Sequence, residues 1–129
     1  MKINDINALK IFNESKVNNN SIAIVGWHES CAGEIHSWFE ETKEYQTICF
    51  INPSDDPIRV NSKKIVREVS NFSYPTKNTF KNLPLINSLK WCEILKEKGI
   101  NKVLITTADP KKRFEQIKYA KENNFKLIN

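Results

Sequence analysis

The chain has 129 residues and a mass of 15.0 kDa, enough for one hydrophobic core and too little for two. Its 40% hydrophobic and 27% charged content is that of an ordinary globular protein, and no apolar run approaches the roughly 18 residues that span a bilayer. The net charge of +5 does not point to nucleic acid: the lysines are spread along the chain and alternate with glutamates (KEYQ, KEKG, KKRFEQ, KYAKE), with neither a basic tract nor interleaved aromatics.

The N-terminus, MKINDINALKIFNESK, is polar and amphipathic, without the unbroken apolar block of a secretory signal, so a cytoplasmic protein that does not insert into membranes is expected. Ile3, Ile6, Leu9 and Phe12, with Ala8 beside them, form a helical stripe that the polar run VNNNS ends. Residues 1–19 are thus read as an N-terminal helix and linker, and 20–129 as the main domain. Ile22 to Val25 is a short β-branched run typical of a strand covered on both faces. Ser30 can cap a helix with Ala32, Ile35, Trp38 and Phe39 inward. Thr47 to Ile51 is a second strand, stopped by the turn cluster NPSDDP.

From Ile58 to Asn82 the pattern is weak, with IVREV as a candidate edge strand and NFSYPTKNTFKN as loop. Leu83 to Ile86 reads as a strand. A helix capped by Ser88 follows, with Leu89, Cys92 and Leu95 inward and Gly99 as its stop. Val103 to Thr106 is a further buried strand. Asp109 and Pro110 open a helix carrying Phe114, Ile117 and Ala120, Asn124 is a left-handed stop, and Phe125 to Ile128 is the last strand. Strands alternating with amphipathic helices imply βαβ units: an α/β fold with an open, mostly parallel sheet covered by helices on both faces, Rossmann-like or flavodoxin-like in order.

Such sheets bind ligands beyond the carboxyl ends of their strands, which directs attention to four loops: Gly26 to Ser30, Asn52 to Pro57, Asn87 with Ser88, and Thr106 to Pro110. Gly26 frees the backbone at the strand end, and Gly33 lets the helix start approach the sheet or a phosphate. Any strand-to-helix turn benefits from glycine, however, and two glycines make only a partial match to G-x-G-x-x-G. Cys31 sits where a helix N-terminus lowers a thiol pKa, but a cysteine phosphatase needs arginine six residues on, and Ser37 stands there. His28 and Glu29 have the chemistry of an acid/base pair with no nucleophile or metal to serve, which favours a loop tip touching a ligand. Trp27 either stacks on a base or caps the core. Asn52 occupies the place where dinucleotide-binding folds put an acid for the ribose hydroxyls; Asp55 and Asp56 behind it read equally well as a turn cluster. The three cysteines are widely spaced without a C-x-x-C pair, so Cys49 and Cys92 are read as buried free thiols, and no spacing of metal ligands is present. No catalytic set can be assembled.

Together, the order strand-Gly-loop-A-x-E-(I/V), the second strand ending F-I-(D/N), and "LPLINSLKWCEILKEKGINKVLITTADPKKRFEQIKYAKENNFKLIN" resemble the N-terminal domain of bacterial sugar O- and N-acyltransferases of the sialic-acid and bacillosamine acetyltransferase type. Members read G-x-G-G-H-A-x-E-V in the first turn, then P-(V/I)-(L/I)-G, a helix, V-x-I-A-I-G-D-x-x-x-R and a closing strand. Ala32 and Glu34 match A-x-E, Phe50 and Ile51 the second strand end, Leu83 to Ile86 the P-V-L segment, and Asp109 with Arg113 D-x-x-x-R. The resemblance covers Ser21 to Asn129.

It implies a Rossmann-like domain that holds a nucleotide-sugar, usually a UDP-amino sugar, for the synthesis of cell-surface glycans such as lipopolysaccharide. Acetyl-CoA and the catalytic histidine would belong to a left-handed β-helix after Asn129, through which such enzymes oligomerise; this chain contains no hexapeptide repeat, so neither cofactor nor catalytic residue is expected in it. On this reading Gly26, Trp27, His28, Ser30, Cys31, Ala32 and Gly33 approach the diphosphate and sugar. Asn52 approaches ribose or base, and Thr107 with Asp109 lines the far side. Two departures fall on that site: W-H-E-S-C replaces G-G-H, and Asn52 replaces the acid. The rival readings are a degenerate interaction or regulatory domain of the same fold and a small NAD(P)-binding module, the latter disfavoured by the single glycine in the turn.

Overall fold

The computed structural model describes residues 3–58 and 75–128. The side chain of Asn4 accepts from the Asn7 amide (3.1 Å) and starts α1 (Asp5–Glu14). This helix buries Ala8 and Phe12, one turn apart, whereas Ile6 and Leu9 stand 90% and 60% exposed. The expected stripe through Ile6 and Leu9 is therefore corrected to one through Asp5, Ala8 and Phe12. Polar anchors set the rotation: the Asp5 carboxylate accepts from the hydroxyls of Thr76 and Thr79, and Lys98 donates to the Asn13 carbonyl (2.6 Å). The helix lies against the sheet at β4 (Leu83–Asn87).

The six-stranded sheet runs β3-β4-β2-β1-β5-β6, where β1 is Ser21–Val25, β2 Gln46–Asn52, β3 Thr79–Phe80, β5 Lys102–Ile105 and β6 Lys126–Leu127. All pairings are parallel except that of β3 with β4. The mostly parallel α/β class expected from the alternation is thus observed. β1 is buried at every position, as a strand covered on both faces must be. Ala23 and Val25 face a cluster with Phe12, Trp91, Cys92, Leu95 and Ala120, and Ile22 and Ile24 face one with Ala32, Phe39, Phe50, Phe80 and Leu85. Hence α1, α3 (Trp91–Lys98) and α4 (Pro110–Glu122) cover one side and α2 (Glu34–Thr42) the other. From β1 the parallel strands run outward through β2 to β4, then from β5 to β6 on the opposite side, so the strand order reverses at β1.

Caps and stops follow local chemistry. Asp109 accepts from the Lys111 and Lys112 amides ahead of Pro110, and Gly99 (φ +88°) and Asn124 (φ +62°) end their elements in left-handed conformations, as expected. Lys81 and Asn82 (φ +53° and +61°) make the two-residue turn that joins β3 to β4, inside a stretch expected as loop. The candidate edge strand at 65–69 lies outside the described residues. Several apolar assignments rotate. Trp38 is 56% exposed, and His36 takes its place inside, edge-on to Phe50 with ring centroids 5.5 Å apart. Leu89 and Phe114 are exposed, while Trp91 faces inward. Among the described residues no helix is long and apolar enough to cross a membrane.

Candidate functional site

β1 ends at Gly26, whose amide donates to the Ile51 carbonyl (2.9 Å) and whose φ is +129°. Beside it, both the amide and the hydroxyl of Thr106 donate to the Val25 carbonyl (2.9 and 2.7 Å). A Cβ on Gly26 would collide with the Thr106 Oγ1, so glycine is required here by both conformation and space. The chain then enters a π-helical turn, Glu29–Gly33, that leads into α2. The amides of Cys31 and Gly33 both donate to the His28 carbonyl (3.1 Å each). Glu29, Ser30 and Cys31 of W-H-E-S-C fall within this widened turn, a form that recurs at functional positions, and Trp27 and His28 lead into it.

A cleft of about 860 Å³ opens at the carboxyl ends of the strands, between the Gly26 turn, the end of β2, and α4. Of the residues expected at a ligand site, Gly26, Trp27, His28, Cys31, Asn52 and Thr107 line it. Ala32 does not: it is fully buried in the core under α2. Gly33 closes the π-helical turn with its amide occupied, Asp109 is spent as the cap of α4, and Ser30 lies by its backbone within the turn. Trp27 packs on the core cluster below, one of the two roles left open, and its other side lines the cleft.

Asn52 is tied into the protein. Its Nδ2 donates to Asn87 Oδ1 (2.9 Å) and to the Asp56 carbonyl (3.1 Å), and Asn87 Nδ2 in turn donates to the Lys77 carbonyl (2.7 Å). Both amide hydrogens are thereby used, one in fastening the end of β2 to that of β4 and one in holding the loop after β2. Asp55 accepts from the Leu89 amide (3.0 Å) ahead of α3, confirming its place in a turn and cap cluster.

Sequence reasoning missed one wall entirely. Lys112, Glu115, Gln116 and Tyr119 line the cleft from α4, and Trp91 from the first turn of α3. Their spacing of three, one and three is itself a helical stripe in KKRFEQIKYAKE, overlooked because Phe114 drew the inward face elsewhere. Thr107 donates its hydroxyl to Gln116 Oε1 (2.5 Å), fixing the loop after β5 to this stripe. Trp91 and Tyr119 meet edge-to-face, centroids 5.3 Å apart. Burial, followed by the Cys92 thiolate that forms only at high pH and by the Glu93 carboxylate, pushes the Tyr119 phenol above its ordinary value against a hydrogen bond with the Cys92 backbone, so the phenol stays protonated.

The thiols divide by position. Cys49 and Cys92 are buried and free, as expected, and burial pushes the Cys92 pKa up to about 12 and that of Cys49 beyond the usual thiol range. Cys31 is half-buried on the cleft. His36 lies at the opposite, amino-terminal end of the sheet, with its Nε2 3.0 Å from Glu40 Oε1, in a hollow shared with Tyr45 and Thr47. Among the described residues no group of His, Cys, Asp and Glu is arranged to hold a metal ion. No protein-family model, no curated protein and no solved structure matches the chain.

Proposed function

We propose that the chain is a Rossmann-like domain that holds a nucleotide-sugar in the cleft, as the substrate-binding part of a sugar acyltransferase acting in cell-surface glycan synthesis in the cytoplasm. The observation that carries this reading is the cleft's position. It opens beside β1, where the strand order reverses, with Gly26 on one side and Thr106 and Thr107 on the other. Its volume of about 860 Å³ suits a ligand of nucleotide-sugar size, and the partly exposed rings of Trp27 and Tyr119 offer aromatic surface to a base. A UDP-amino sugar is the ligand that the family resemblance implies. Transfer of an acyl group would draw on acetyl-CoA and a catalytic histidine in a β-helical domain of the same enzyme, and this domain's own part is to bind and orient the sugar.

One observation favours a second reading, an interaction or regulatory domain that has lost its phosphate ligand: the His28 carbonyl occupies the Cys31 and Gly33 amides with which the first turn would hold a diphosphate. Thermal shift against UDP-N-acetylglucosamine, UDP, NAD(H) and acetyl-CoA in parallel separates these. A ligand at about 100 times its dissociation constant adds about 2.7 kcal/mol of stability, a shift of several degrees. Stabilisation by the UDP compounds is expected. A response to NAD(H) alone overturns the acyltransferase reading, and no response to any compound selects the interaction domain.

A further inference from the structure

Two helices carry a large ring on the face turned to solvent. Trp38 on α2 is 56% exposed and Phe114 on α4 is 68% exposed. Each ring forgoes the stabilisation that burial of its apolar surface gives. The charged residues one turn away differ in sign. Glu34 and Glu41 flank Trp38, and Lys111 and Lys118 flank Phe114, all four of them exposed. None of these four makes an ion pair among the described residues. Trp38 stacks on Phe39, with centroids 5.9 Å apart, and with Glu34, Ser37 and Glu41 it lines a shallow hollow on the outside of α2.

The two faces are opposite in charge and alike in spacing. Each ring lies between two like charges seven residues apart, about 10.5 Å along a helix axis, so with the rings in contact each lysine reaches a glutamate. The helices pack on different core clusters on opposite sides of the sheet, so the faces cannot meet within one chain. A two-fold dimer cannot use both of them either, whereas copies joined head to tail can. We propose that the α2 face of one copy receives the α4 face of the next, with Phe114 seated against Trp38 and Lys111 and Lys118 against Glu34 and Glu41. Two short helix faces bury less surface than a permanent complex does, so the association is weak and steered by charge. It is independent of what the cleft holds.

Sedimentation velocity of the full chain from about 10 μM to 1 mM tests this, in the range where a small interface becomes populated. Assembly is expected to grow with concentration beyond the dimer, and to be stronger at about 50 mM than at 500 mM salt. Glu34→Lys with Glu41→Lys, and Lys111→Glu with Lys118→Glu, should each give a monomer, because every contact then brings like charges together. An equimolar mixture of the two double variants should assemble again, since each reversed face now finds its complement on the other protein. Such rescue separates a docking surface from a folding defect, which mixing does not repair. Trp38→Ala and Phe114→Ala should each weaken assembly by about tenfold. A parent chain that stays monomeric throughout overturns the inference, and its sedimentation with phosphatidylserine vesicles would assign the α4 stripe to a lipid surface instead. Assembly that persists in both double variants, or a mixture that stays monomeric, overturns it as well.

Discussion

Gly26 lies so close to Thr106 that a methyl group on Gly26 would overlap the threonine Oγ1; Gly26, at the end of β1, is bonded to the end of β2, and Thr106, at the end of β5, to the end of β1. The mouth of the cleft is therefore set by a backbone-to-side-chain contact that tolerates no extra atom. Gly26→Ala should cost about 2–4 kcal/mol, part from the left-handed φ and part from the overlap. Thr106→Ala alone should cost about 1 kcal/mol for the hydrogen bond to the Val25 carbonyl. The double variant should be less destabilised than the sum by about 1 kcal/mol, since removing Oγ1 makes room for the new methyl group. Urea unfolding of the three variants measures this coupling, and strict additivity would refute the contact.

Asn52 stands where an acid would be expected to hold a ribose, so Asn52→Asp is the substitution that would restore a dinucleotide-binding pattern. Here it should do the opposite. A carboxylate in that place faces the Asn87 Oδ1 and the Asp56 carbonyl, two acceptors that lose their donor. The expected loss is about 1–3 kcal/mol with no gain in NAD(H) affinity. Denaturant unfolding together with NAD(H) titration checks both halves; an unchanged midpoint would show that the Asn52–Asn87 staple contributes nothing.

Thr47 opens a hollow at the other end of the sheet and is 7% exposed, and its hydroxyl has no hydrogen-bond partner among the described residues. Thr47→Val keeps the shape of the side chain and removes the stranded polar atom. It should raise stability by about 1 kcal/mol, read as a higher melting temperature, and a fall would show that the hydroxyl is satisfied in solution.

What the sequence disclosed, it disclosed through local chemistry with few alternatives. Asp109 before Pro110, Gly99, Asn124 and the apolar run of β1 each have one good structural solution, and each adopts it. Helix faces were less legible. In α1, Ile6 and Leu9 make as good a stripe as Ala8 and Phe12, and the choice between them was settled by Asp5 and Lys98, whose partners are distant in the chain. The same happened on α2, where His36 and not Trp38 turns inward. The Lys81–Asn82 turn was hidden because neither residue is glycine. Strand topology placed the cleft in the right loops, but its α4 wall depends on how that helix is rotated against the sheet, which no local pattern decides.

The corrected face of α1 has a direct consequence. Ile6→Lys and Leu9→Lys should each change stability by less than about 0.5 kcal/mol, since both side chains already stand in solvent. Phe12→Ala should cost about 3–5 kcal/mol, because Phe12 is buried against the sheet and beneath the Lys98 ammonium, 6.0 Å from its ring centroid. Thermal unfolding of the three variants distinguishes this face from the one through Ile6 and Leu9, which predicts the reverse ranking for the lysine substitutions.

Buried thiols give the fold an alkaline limit. Burial is the main cause that raises Cys92 from its ordinary value of 9.0 to about 12; Glu93 raises it further, and Lys96 partly opposes this. Below pH 9 the thiol is protonated in both folded and unfolded chains, so its contribution is constant. Between pH 9 and about 12 the unfolded chain releases the proton and the folded chain keeps it, so stability falls by at most about 1.4 kcal/mol per pH unit from this group. Cys49 and Tyr119, both raised by burial, act with the same sign. Urea midpoints measured from pH 8 to 10.5 should therefore decline steadily. Cys92→Ala should begin less stable, because it leaves a small cavity between α3 and the sheet, and yet decline more gently than the parent chain. Parallel decline of the two proteins would mean that Cys92 ionises as readily in the folded chain as in the unfolded one, and that water reaches the packing between α3 and β1.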